Sequence, residues 1–535
     1  MMRAATFPVL AALLVPVVLA RAATEPALHL YLQTNLAVDK TVDDAERLLQ
    51  RASKAGYSAV LLADFKFGKL GDMGPNYFRN IERFKRAAVD TKIEVIPAVF
   101  PIGYSEGLLY HDPNLAEALP VRDALFVVKG GIARVQADPP VSLPGGDMSD
   151  LRKWSFRDDN LTADAGATLA RDTKGNARLT QKIRVSPFRQ YHVSVRVKTQ
   201  DFAGEPEIKA IAGGRVLCFS HLGTKRTQDW TEHHTVFNSL EHTEVTLYLG
   251  VWGGAKGSLW WDDAKIEETA LVNLVRRAGA PLVVKREGGA ALVEGKDFER
   301  VTDPRSGTVP WSGGFEVWHE PPVIKTPLPD GTRLRVSFYH AITIHHGQVM
   351  ICPSEPKTDS LLRDQARRVH AAWGAKGYMM SHDEIRVLNW CKACQDRGLD
   401  AGELLADNAR TCVRILKETN PGGRIHVWSD MFDPHHNAKN NYYLVRGDLK
   451  GSWDGLDRDV VMVNWNFGGR RDSLKWFESR GHPQTLAGYY DGPPRQIRDW
   501  LDAARGLKGI EGAVFTTWRN NYADLEAFAE AARGK

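Results

Sequence analysis

Apolar residues recur along the chain in two alternating forms, short continuous runs and longer stretches with helical spacing. The first run covers residues 28–32, a helical stretch follows at 43–55, and a second run covers 57–63. A short buried strand followed by an amphipathic helix is the repeating unit of parallel β/α folds. A further helical stretch and a third run at 93–100 extend this pattern, so the sequence predicts three strands before residue 105.

The pattern changes between residues 140 and 268. Residues 191–197 and 243–249 show period-two alternation of apolar and polar residues, which is typical of strands with one buried face. Many such segments in succession predict an all-β sandwich. The closing run Gly-Ser-Leu-Trp-Trp-Asp-Asp-Ala-Lys-Ile at 257–266 is similar to the last strand of the carbohydrate-binding jelly rolls that accompany glycosidases. We therefore interpret this region as a carbohydrate-binding-like insertion.

Helical spacing resumes at residues 360–373, and five more apparent strands follow, at 378–381, 425–428, 460–464, 485–489 and 512–517. Three strands before the insertion and five after it make the eight that a (β/α)8 TIM barrel requires. The run at 333–340 would be a ninth strand, so we assign it outside the barrel. The predicted domains are a first barrel part at 24–139, the sandwich at 140–268, a small β segment at 269–356 and a second barrel part at 357–535.

Residues 1–23 contain Arg3, an apolar run at 7–20 and the small-residue triplet at 20–22. This arrangement predicts a cleaved secretory signal. The alternative is a retained membrane anchor, although the run is shorter than the ~20 residues that a bilayer requires. We expect the protein to be exported, periplasmic or extracellular, with no membrane span in the mature chain.

Charge and cysteine content narrow the choice of partners. The 70 basic and 65 acidic residues leave a net charge of only +5, and the basic residues are scattered, so nothing favours nucleic acid. Five cysteines are too few for a disulfide scaffold. Cys391 and Cys394 form a lone C-x-x-C without a second pair or a nearby histidine, which favours a disulfide or two buried thiols over zinc. We predict no metal site and no cofactor.

The residues that close the predicted strands carry the candidate chemistry, because active sites of such barrels lie at the C-terminal ends of the strands. The fourth strand ends at His382, Asp383 and Glu384. Aromatic and acidic residues close other strands, namely Asp64, Trp428, Asp430, Trp465, Tyr489, Tyr490, Asp491 and Trp518. Aromatic rings pack on the apolar faces of sugars and carboxyl groups catalyse glycoside hydrolysis. Alternatively, the acidic pair caps a helix that begins near Val387, and the tryptophans belong to the core.

On the Asp-Glu pair and the aromatic strand ends, the chain resembles the family 20 β-N-acetylhexosaminidases. The resemblance implies that Asp383 orients the substrate's 2-acetamido group, whose carbonyl oxygen attacks the anomeric carbon, and that Glu384 is the general acid and then the base. It further implies a set of substrate-binding residues. Tryptophans 428, 465 and 518 would wall the acetamido pocket, Tyr489 or Tyr490 would bind the acetamido oxygen, and Asp430 and Asp491 would contact hydroxyls or hold the aromatics, with His382 beside them.

The chain departs from that family at three places. Ser381-His382 replaces a glycine pair, the first strand offers His29, Gln33 and Asn35 but no arginine, and Arg519 follows Trp518 where the family has an acid nearby. The preference between GalNAc and GlcNAc is therefore open. The predicted function is an exo-acting hydrolase that removes terminal β-linked N-acetylhexosamine from a glycan or glycoconjugate by substrate-assisted retaining catalysis.

Two alternatives stand beside this function. One is a retaining glycosidase with a protein carboxylate nucleophile, for which Asp430 or Asp491 would serve. The other is a non-catalytic glycan-binding protein, in which the barrel and the sandwich only bind sugars. Tryptophans of the sandwich, at positions 230, 252, 260 and 261, form either a sugar-stacking platform or part of its core.

Overall fold

The computed structural model describes residues 26–345 and 347–534. The predicted secretory signal at 1–23 lies outside the described residues. Eight parallel strands pair in chain order and close into a barrel. The barrel strands, one to eight, are Ala27–Gln33, Tyr57–Ala63, Glu94–Val99, Gly377–Met380, Arg424–Trp428, Val461–Asn464, Gln484–Ala487 and Ile510–Phe515. The predicted TIM barrel with an all-β insertion after its third strand is therefore confirmed.

Side chains from alternate positions fill the barrel interior. On strand four, Met379 points into the barrel, whereas Tyr378 and Met380 pack outward in the larger core shared with the helices. This alternation is the period-two geometry of any β-strand. The interior is completed by residues of the other strands, including Tyr31, Leu61, Ile96, Trp428, Val463 and Val514.

Helices surround the barrel and connect its strands. The main helices are Asp39–Lys54, Pro75–Thr91, Pro356–Trp373, Ala401–Thr419, Arg470–Arg480, Ile497–Ala504 and Leu525–Ala532, with short helices at Glu106–Leu109 and Lys392–Gln395. Short 3-10 segments lie at Phe65–Asp72, Pro113–Leu115, Leu151–Lys153, Asp430–Phe432, Ser452–Gly455 and Pro494–Gln496. No helix in the described ranges is long and apolar enough to cross a membrane.

Local sequence signals explain where the helices begin and end. The side chain of Asp400 and that of Glu403 form a reciprocal capping box at the start of Ala401–Thr419, and Glu403 Oε2 accepts from the Asp400 amide at 2.8 Å. Such a box satisfies two amides that the first turn leaves unpaired. At the end of Pro356–Trp373, Gly374 takes the left-handed conformation with φ +57°, which glycine adopts without steric cost.

The insertion contains a sandwich of two five-stranded sheets. One sheet has the order Gln228–Asn238, Gln190–Ala203, Lys256–Thr269, Ala167–Arg171 and Leu161–Asp164, and the other has the order Arg215–His221, Pro206–Ala212, Glu244–Val251, Ala177–Arg184 and Phe156–Arg157. Trp261 is buried in its core. The other three tryptophans of the predicted platform each lie beside a basic side chain, Arg196, Lys209 or Lys198.

A third sheet is built from two segments of the chain, one before the sandwich and one after it. Arg333–His340 pairs with Leu119–Lys129, which in turn pairs with Ile132–Val135. Smaller strands complete this sheet at Leu274–Val275, Val283–Arg286 and Ile324–Lys325, and a separate parallel pair joins Val387–Leu388 to Leu444–Val445. The run at 333–340 thus lies outside the barrel, as predicted. The predicted first barrel part at 24–139 includes residues 119–135, but these residues belong to the third sheet.

Candidate active site

A cavity of about 730 Å³ opens at the C-terminal end of the barrel. Residues at or just beyond the ends of all eight barrel strands line it, and two more come from elsewhere, His345 from the insertion and Gln365 from the helix that follows it. The lining combines carboxyl, aromatic and amide side chains: Tyr31, Gln33, Asp64, Tyr104, Asp383, Glu384, Trp428, Trp465, Tyr490, Asp491, Trp518 and Arg519. The cavity thus lies where the sequence analysis expected the site.

Both members of the Asp383-Glu384 pair face this cavity, although they are adjacent in the chain. Alternation beyond strand four directs Ser381 and Asp383 to the cavity and His382 away from it. The same alternation would send Glu384 away as well. Its backbone instead takes a φ of +50°, a left-handed conformation that is costly for a residue with a side chain. This local reversal turns Glu384 to the same cavity as Asp383.

The surrounding structure holds the Glu384 backbone in this conformation. The Glu384 amide donates to Asp430 Oδ2 at 2.9 Å, and the Glu384 carbonyl accepts from Gln348 Nε2 at 2.9 Å. Gln348 Nε2 also donates to the carbonyl of Gly103 at 2.8 Å, which joins the loops after strands three and four. Strained residues persist only where neighbouring contacts determine their conformation in this way.

The Glu384 carboxylate has a partner on each oxygen. Oε1 lies 2.6 Å from a guanidinium nitrogen of Arg386, and Oε2 accepts from the Tyr104 hydroxyl. Arg386 is buried and also donates to the side-chain oxygen of Gln348. These contacts fix the position of the carboxylate at the cavity wall, because a charged, hydrogen-bonded pair restricts both side chains.

Three carboxyl groups lie close together at the end of strands four and five. Burial, followed by the charges of Asp430 and Glu384, raises the pKa of Asp383 well above its ordinary value. Burial is also the main cause that raises the pKa of Asp430, to about 6. Removal from water and a nearby like charge both favour the protonated form of a carboxyl group. The site therefore keeps a proton on Asp383 at a pH where an exposed aspartate has lost it.

Aromatic rings form one wall and the floor of the cavity. The rings of Tyr31, Trp428 and Trp518 meet edge to face or tilted, with centroids 5.4 to 5.8 Å apart. Tyr490 lies parallel to Trp465 with a centroid distance of 6.1 Å, and its edge meets Trp518 at 5.9 Å. Among the described residues, the Trp518 Nε1–H has no hydrogen-bond partner. The cavity thus presents broad apolar ring faces.

Asp430 and Asp491 support this wall. Asp430 is fully buried, and its oxygens accept from Trp465 Nε1 at 3.2 Å and from Asn437 Nδ2 at 2.9 Å in addition to the Glu384 amide. Asp491 accepts from the Thr517 hydroxyl and from the Trp518 amide, the latter at 2.7 Å. Asp430 and Asp491 thus hold Trp465 and Trp518 in place, which is one of the two roles that the sequence analysis allowed. Asp491 also lines the cavity.

Three predicted substrate-binding residues do not line the cavity: Asp430, which lies behind its wall, His382 and Tyr489. His382 is fully buried and its Nε2 pairs with Asn408 Oδ1 at 3.1 Å, because strand alternation turns its ring toward the surrounding helices. Burial lowers its pKa to about 4. Tyr489 stacks on Phe515 in the core, and its hydroxyl donates to Asp524 Oδ2 at 3.0 Å. Of the two tyrosines left open, Tyr490 is the one in the cavity.

Several residues of the site were not predicted from the sequence. Tyr104 and Arg386 contact Glu384, and Tyr31 and Arg519 line the cavity. Arg386 follows Glu384 by only two positions, so its spacing was a usable signal. Tyr104 lies in the loop after strand three, where no periodic pattern marks it. Asp64 closes strand two as expected, but its carboxylate accepts from local donors, the Leu36 and Lys66 amides and the Tyr77 hydroxyl.

Comparisons with known proteins find similar structures but no related sequence. No protein-family model matches the chain, and no curated protein matches it. A rhamnosidase from Novosphingobium sp. PP1Y is 11% identical over 95% of this chain, with a TM-score of 0.34, and the chain spans 59% of that protein. A GH20 exo β-N-acetylglucosaminidase from Vibrio harveyi is 18% identical over 35% of this chain and 33% of its own, with a TM-score of 0.25.

Smaller structures are similar to about a quarter of the chain. A carbohydrate-binding module of the Cellvibrio mixtus lichenase 5A is 18% identical over 24% of this chain and 97% of its own, with a TM-score of 0.17. All of these identities and scores are low and assign no activity to this chain. The fold described above therefore rests on the strand pairing within the chain itself.

Proposed function

We propose that the protein is an exported glycoside hydrolase that removes terminal β-linked N-acetylhexosamine with the help of the substrate's own acetamido group. The observation that carries the proposal is the Asp383-Glu384 pair, which faces a single aromatic-walled cavity despite adjacency in the chain. Ring faces of tryptophan and tyrosine suit the apolar faces of a pyranose, and the carboxyl pair suits the chemistry at its anomeric carbon.

The two carboxyl groups take different roles in this reaction. The raised pKa of Asp383 reflects burial without enough compensating donors, and the N–H of a 2-acetamido group supplies a donor that favours the ionised form. Asp383 then orients the acetamido carbonyl oxygen for attack on the anomeric carbon. Glu384, held at the cavity wall beside Tyr104 and Arg386, donates a proton to the leaving oxygen from its protonated form. The carboxylate that results is stabilised by these two partners and later accepts a proton from water.

The arrangement of the other aspartates disfavours a protein nucleophile. Asp430 lies behind the cavity wall and already accepts three hydrogen bonds. Asp491 reaches the cavity, but its two oxygens accept from Thr517 and Trp518. Asp430 cannot approach the anomeric carbon from behind the wall, and the hydrogen bonds of Asp491 hold its carboxylate against Thr517 and Trp518, although lone pairs remain on its oxygens. The acetamido oxygen is therefore the preferred nucleophile.

A panel of aryl β-glycosides tests this function. We expect hydrolysis of gluco- and galacto-configured substrates only when they carry the 2-acetamido group, because the sugar without it lacks the nucleophile. Equal hydrolysis of an aryl glucoside or galactoside without this group would contradict the acetamido mechanism and favour a protein nucleophile. Binding of the acetamido sugars without any hydrolysis would instead favour a glycan-binding protein.

Substitutions assign the roles within the same assay. Glu384→Gln should lower kcat by about 10²- to 10⁴-fold, the usual contribution of a general acid. Asp383→Asn should lower kcat for acetamido substrates by a similar factor, because it weakens the orientation of the nucleophile. Glu299→Gln is the matched control, since Glu299 is an exposed glutamate that faces Lys325 on the surface. Unchanged hydrolysis by Glu384→Gln would remove Glu384 from the reaction.

A further inference from the structure

Three thiols and one carboxylate lie close together in the protein interior, and none of the four residues lines the cavity. Cys352, Cys391 and Cys394 are completely buried, and Glu117 is almost completely buried. Cys352 Sγ lies 3.4 Å from Cys391 Sγ and 3.6 Å from Cys394 Sγ. Glu117 Oε2 lies 3.5 Å from the sulfurs of both Cys391 and Cys394. One ligand atom from each of the four residues lies within 4.8 Å of all the others.

These distances match the edges of a small tetrahedron. Four ligands placed about 2.0 to 2.3 Å from a central zinc ion lie about 3.4 to 3.8 Å from one another. The four distances given above, 3.4 to 3.6 Å, fall in this range, and the other two pairs of ligand atoms lie within 4.8 Å. A disulfide requires a sulfur–sulfur distance of about 2.05 Å and uses only two of the three cysteines. The convergence of three thiols and a carboxylate is the donor set of a metal site.

Glu117 is oriented for this task by the backbone of the C-x-x-C segment. Its Oε1 accepts from the Trp390 amide at 2.9 Å and from the Cys391 amide at 3.1 Å. These two bonds leave Oε2 directed at the sulfurs. Metal-ligating carboxylates are commonly fixed in this way by hydrogen bonds to their second oxygen.

A buried cation balances part of the charge that such a site carries. Arg277 lies close enough for its charge to act on Cys352, Cys391 and Glu117. It is held in place by Glu355, 2.6 Å from its Nε, and by the carbonyl oxygens of Asn114 and Ala116. A site with three thiolates and one carboxylate remains anionic after it binds a divalent ion, so a fixed guanidinium nearby stabilises it.

We propose that Glu117, Cys352, Cys391 and Cys394 bind one structural zinc ion. Thiolates are the ligands that zinc prefers, and four protein ligands leave no position open for a substrate or a catalytic water. The site is separate from the proposed reaction and does not depend on it. Zinc was disfavoured from the sequence because the C-x-x-C had no partner nearby. In the folded chain the partners are Cys352 and Glu117, which lie 39 and 274 positions before Cys391 in the sequence.

The position of the site explains what the ion would stabilise. Glu117 lies where the chain enters the third sheet, and Cys352 lies just before Pro356–Trp373, where the chain returns to the barrel. Cys391 and Cys394 follow the loop that carries Glu384. The ion would therefore tie the entrance and the exit of the insertion to the loop of the catalytic pair. Such cross-links stabilise the fold, because metal binding energy becomes folding energy.

Elemental analysis of the full-length protein tests the site. The protein is purified without chelators, and its metal content is measured by mass spectrometry together with its thiols after unfolding in a chelator. We expect about one zinc ion per chain and five reactive thiols, the full cysteine count. A protein without metal would overturn the proposal. This holds if all five thiols react, and it holds equally if only three react because two cysteines form a disulfide.

Substitutions test each proposed ligand, and a second measurement on the wild-type protein applies if the substituted proteins do not fold. Cys394→Ser and Glu117→Gln should retain zinc at least about tenfold more weakly in competition with a chelator. Cys412→Ser and Cys218→Ser are matched controls, since both are buried cysteines outside the cluster, and they should keep the ion. If the ligand variants do not fold, the wild-type protein loaded with Co²⁺ should show the intense absorption of tetrahedral thiolate coordination. Absence of that absorption would count against the site.

Discussion

At the scale of single residues, Tyr489 and Tyr490 show how neighbours in the chain divide between structure and function. Tyr489 is buried and hydrogen-bonded to Asp524, whereas the ring of Tyr490 is half-exposed in the cavity beside Trp465 and Trp518. Their side chains point in opposite directions, so their removal should affect different properties.

Tyr489→Phe and Tyr490→Phe form a matched pair. Tyr489→Phe should lower the free energy of unfolding by about 1 kcal/mol, the net value of one hydrogen bond, and leave kcat/KM unchanged. Tyr490→Phe should leave the unfolding free energy unchanged and lower kcat/KM for an aryl N-acetylhexosaminide about tenfold. Denaturant unfolding and steady-state kinetics measure both. The reverse pattern would mean that Tyr489 is the substrate-binding tyrosine.

Asp430 gives the stability of the protein a specific pH dependence. Its pKa rises from 3.8 in the unfolded chain to about 6 in the folded protein. Below pH ~4 the carboxyl is protonated in both states, and it contributes nothing. As the pH rises from ~4 to ~6, the unfolded chain loses the proton first, so this group lowers the unfolding free energy by about 2 kcal/mol in that window, toward a limit of about 3 kcal/mol at higher pH.

Comparison with Asp430→Asn isolates this contribution. Between pH 4 and pH 6 the unfolding free energy of the wild-type protein should fall by about 2 kcal/mol more than that of the variant. Denaturant unfolding at several pH values measures the difference. Parallel curves for the two proteins would show that Asp430 titrates at its ordinary pKa. Asp430→Asn should also lower kcat, because an amide cannot accept all three hydrogen bonds that hold Glu384, Asn437 and Trp465.

At the scale of elements, the ends of strands three and four approach each other at Gly103. A β-carbon on Gly103 would lie 2.1 Å from the carbonyl oxygen of Asp383. Because no Cβ tolerates such a contact, and because the opposing atom is backbone, the two strand ends would have to separate. Asp383 and Glu384 would move with them.

Gly103→Ala should therefore impair both stability and catalysis. We expect a loss of about 1–3 kcal/mol in the unfolding free energy, which is typical of overpacking, and a loss of about 10²-fold in kcat, since a displacement near 1 Å has effects of that size. Gly422→Ala is the control, because a β-carbon on Gly422 would meet no atom of the described residues within 4 Å and its φ is not left-handed. Normal kinetics for Gly103→Ala would show that the pair tolerates this displacement.

At the scale of the whole molecule, the sandwich extends to the edge of the cavity. The ring of Phe219, on the edge strand Arg215–His221, lies 4.9 Å from the ring of His345 and 6.1 Å from that of Tyr443. His345 lines the cavity. The insertion thus contributes to the cavity wall both through its own loop and through the sandwich strand packed behind that loop.

Phe219→Ala tests this contribution. We expect a several-fold increase in KM and little change in kcat, because loss of a ring contact worth about 1 kcal/mol loosens the rim and leaves the carboxyl pair in place. Phe156→Ala is the matched control, since Phe156 is half-exposed on the opposite edge strand of the same sheet. Equal KM values for both variants and the wild-type protein would show that the sandwich does not shape the site.

Much of the fold and part of the site could be predicted from the sequence. The eight barrel strands follow from local periodicity, which depends on neighbouring residues, and the exclusion of the run at 333–340 follows from the count of eight that the barrel requires. The placement of Asp383 at a strand end follows in the same way. Two partners of Glu384, Tyr104 and Gln348, could not be predicted, because they come from distant segments. The orientation of Glu384 itself depends on a φ of +50° that no pattern of apolar residues records.

The order of elements, the barrel closure and the acidic pair at the end of strand four all follow from the chain alone, since they depend on spacing within short segments. The tertiary structure determines which side chains lie next to each other. Folding turned His382 and Tyr489 away from the cavity and brought Tyr490 into it. It also gathered Glu117 and three cysteines into one cluster. Such groupings arise from contacts between segments that lie far apart in the chain, and local periodicity does not encode those contacts.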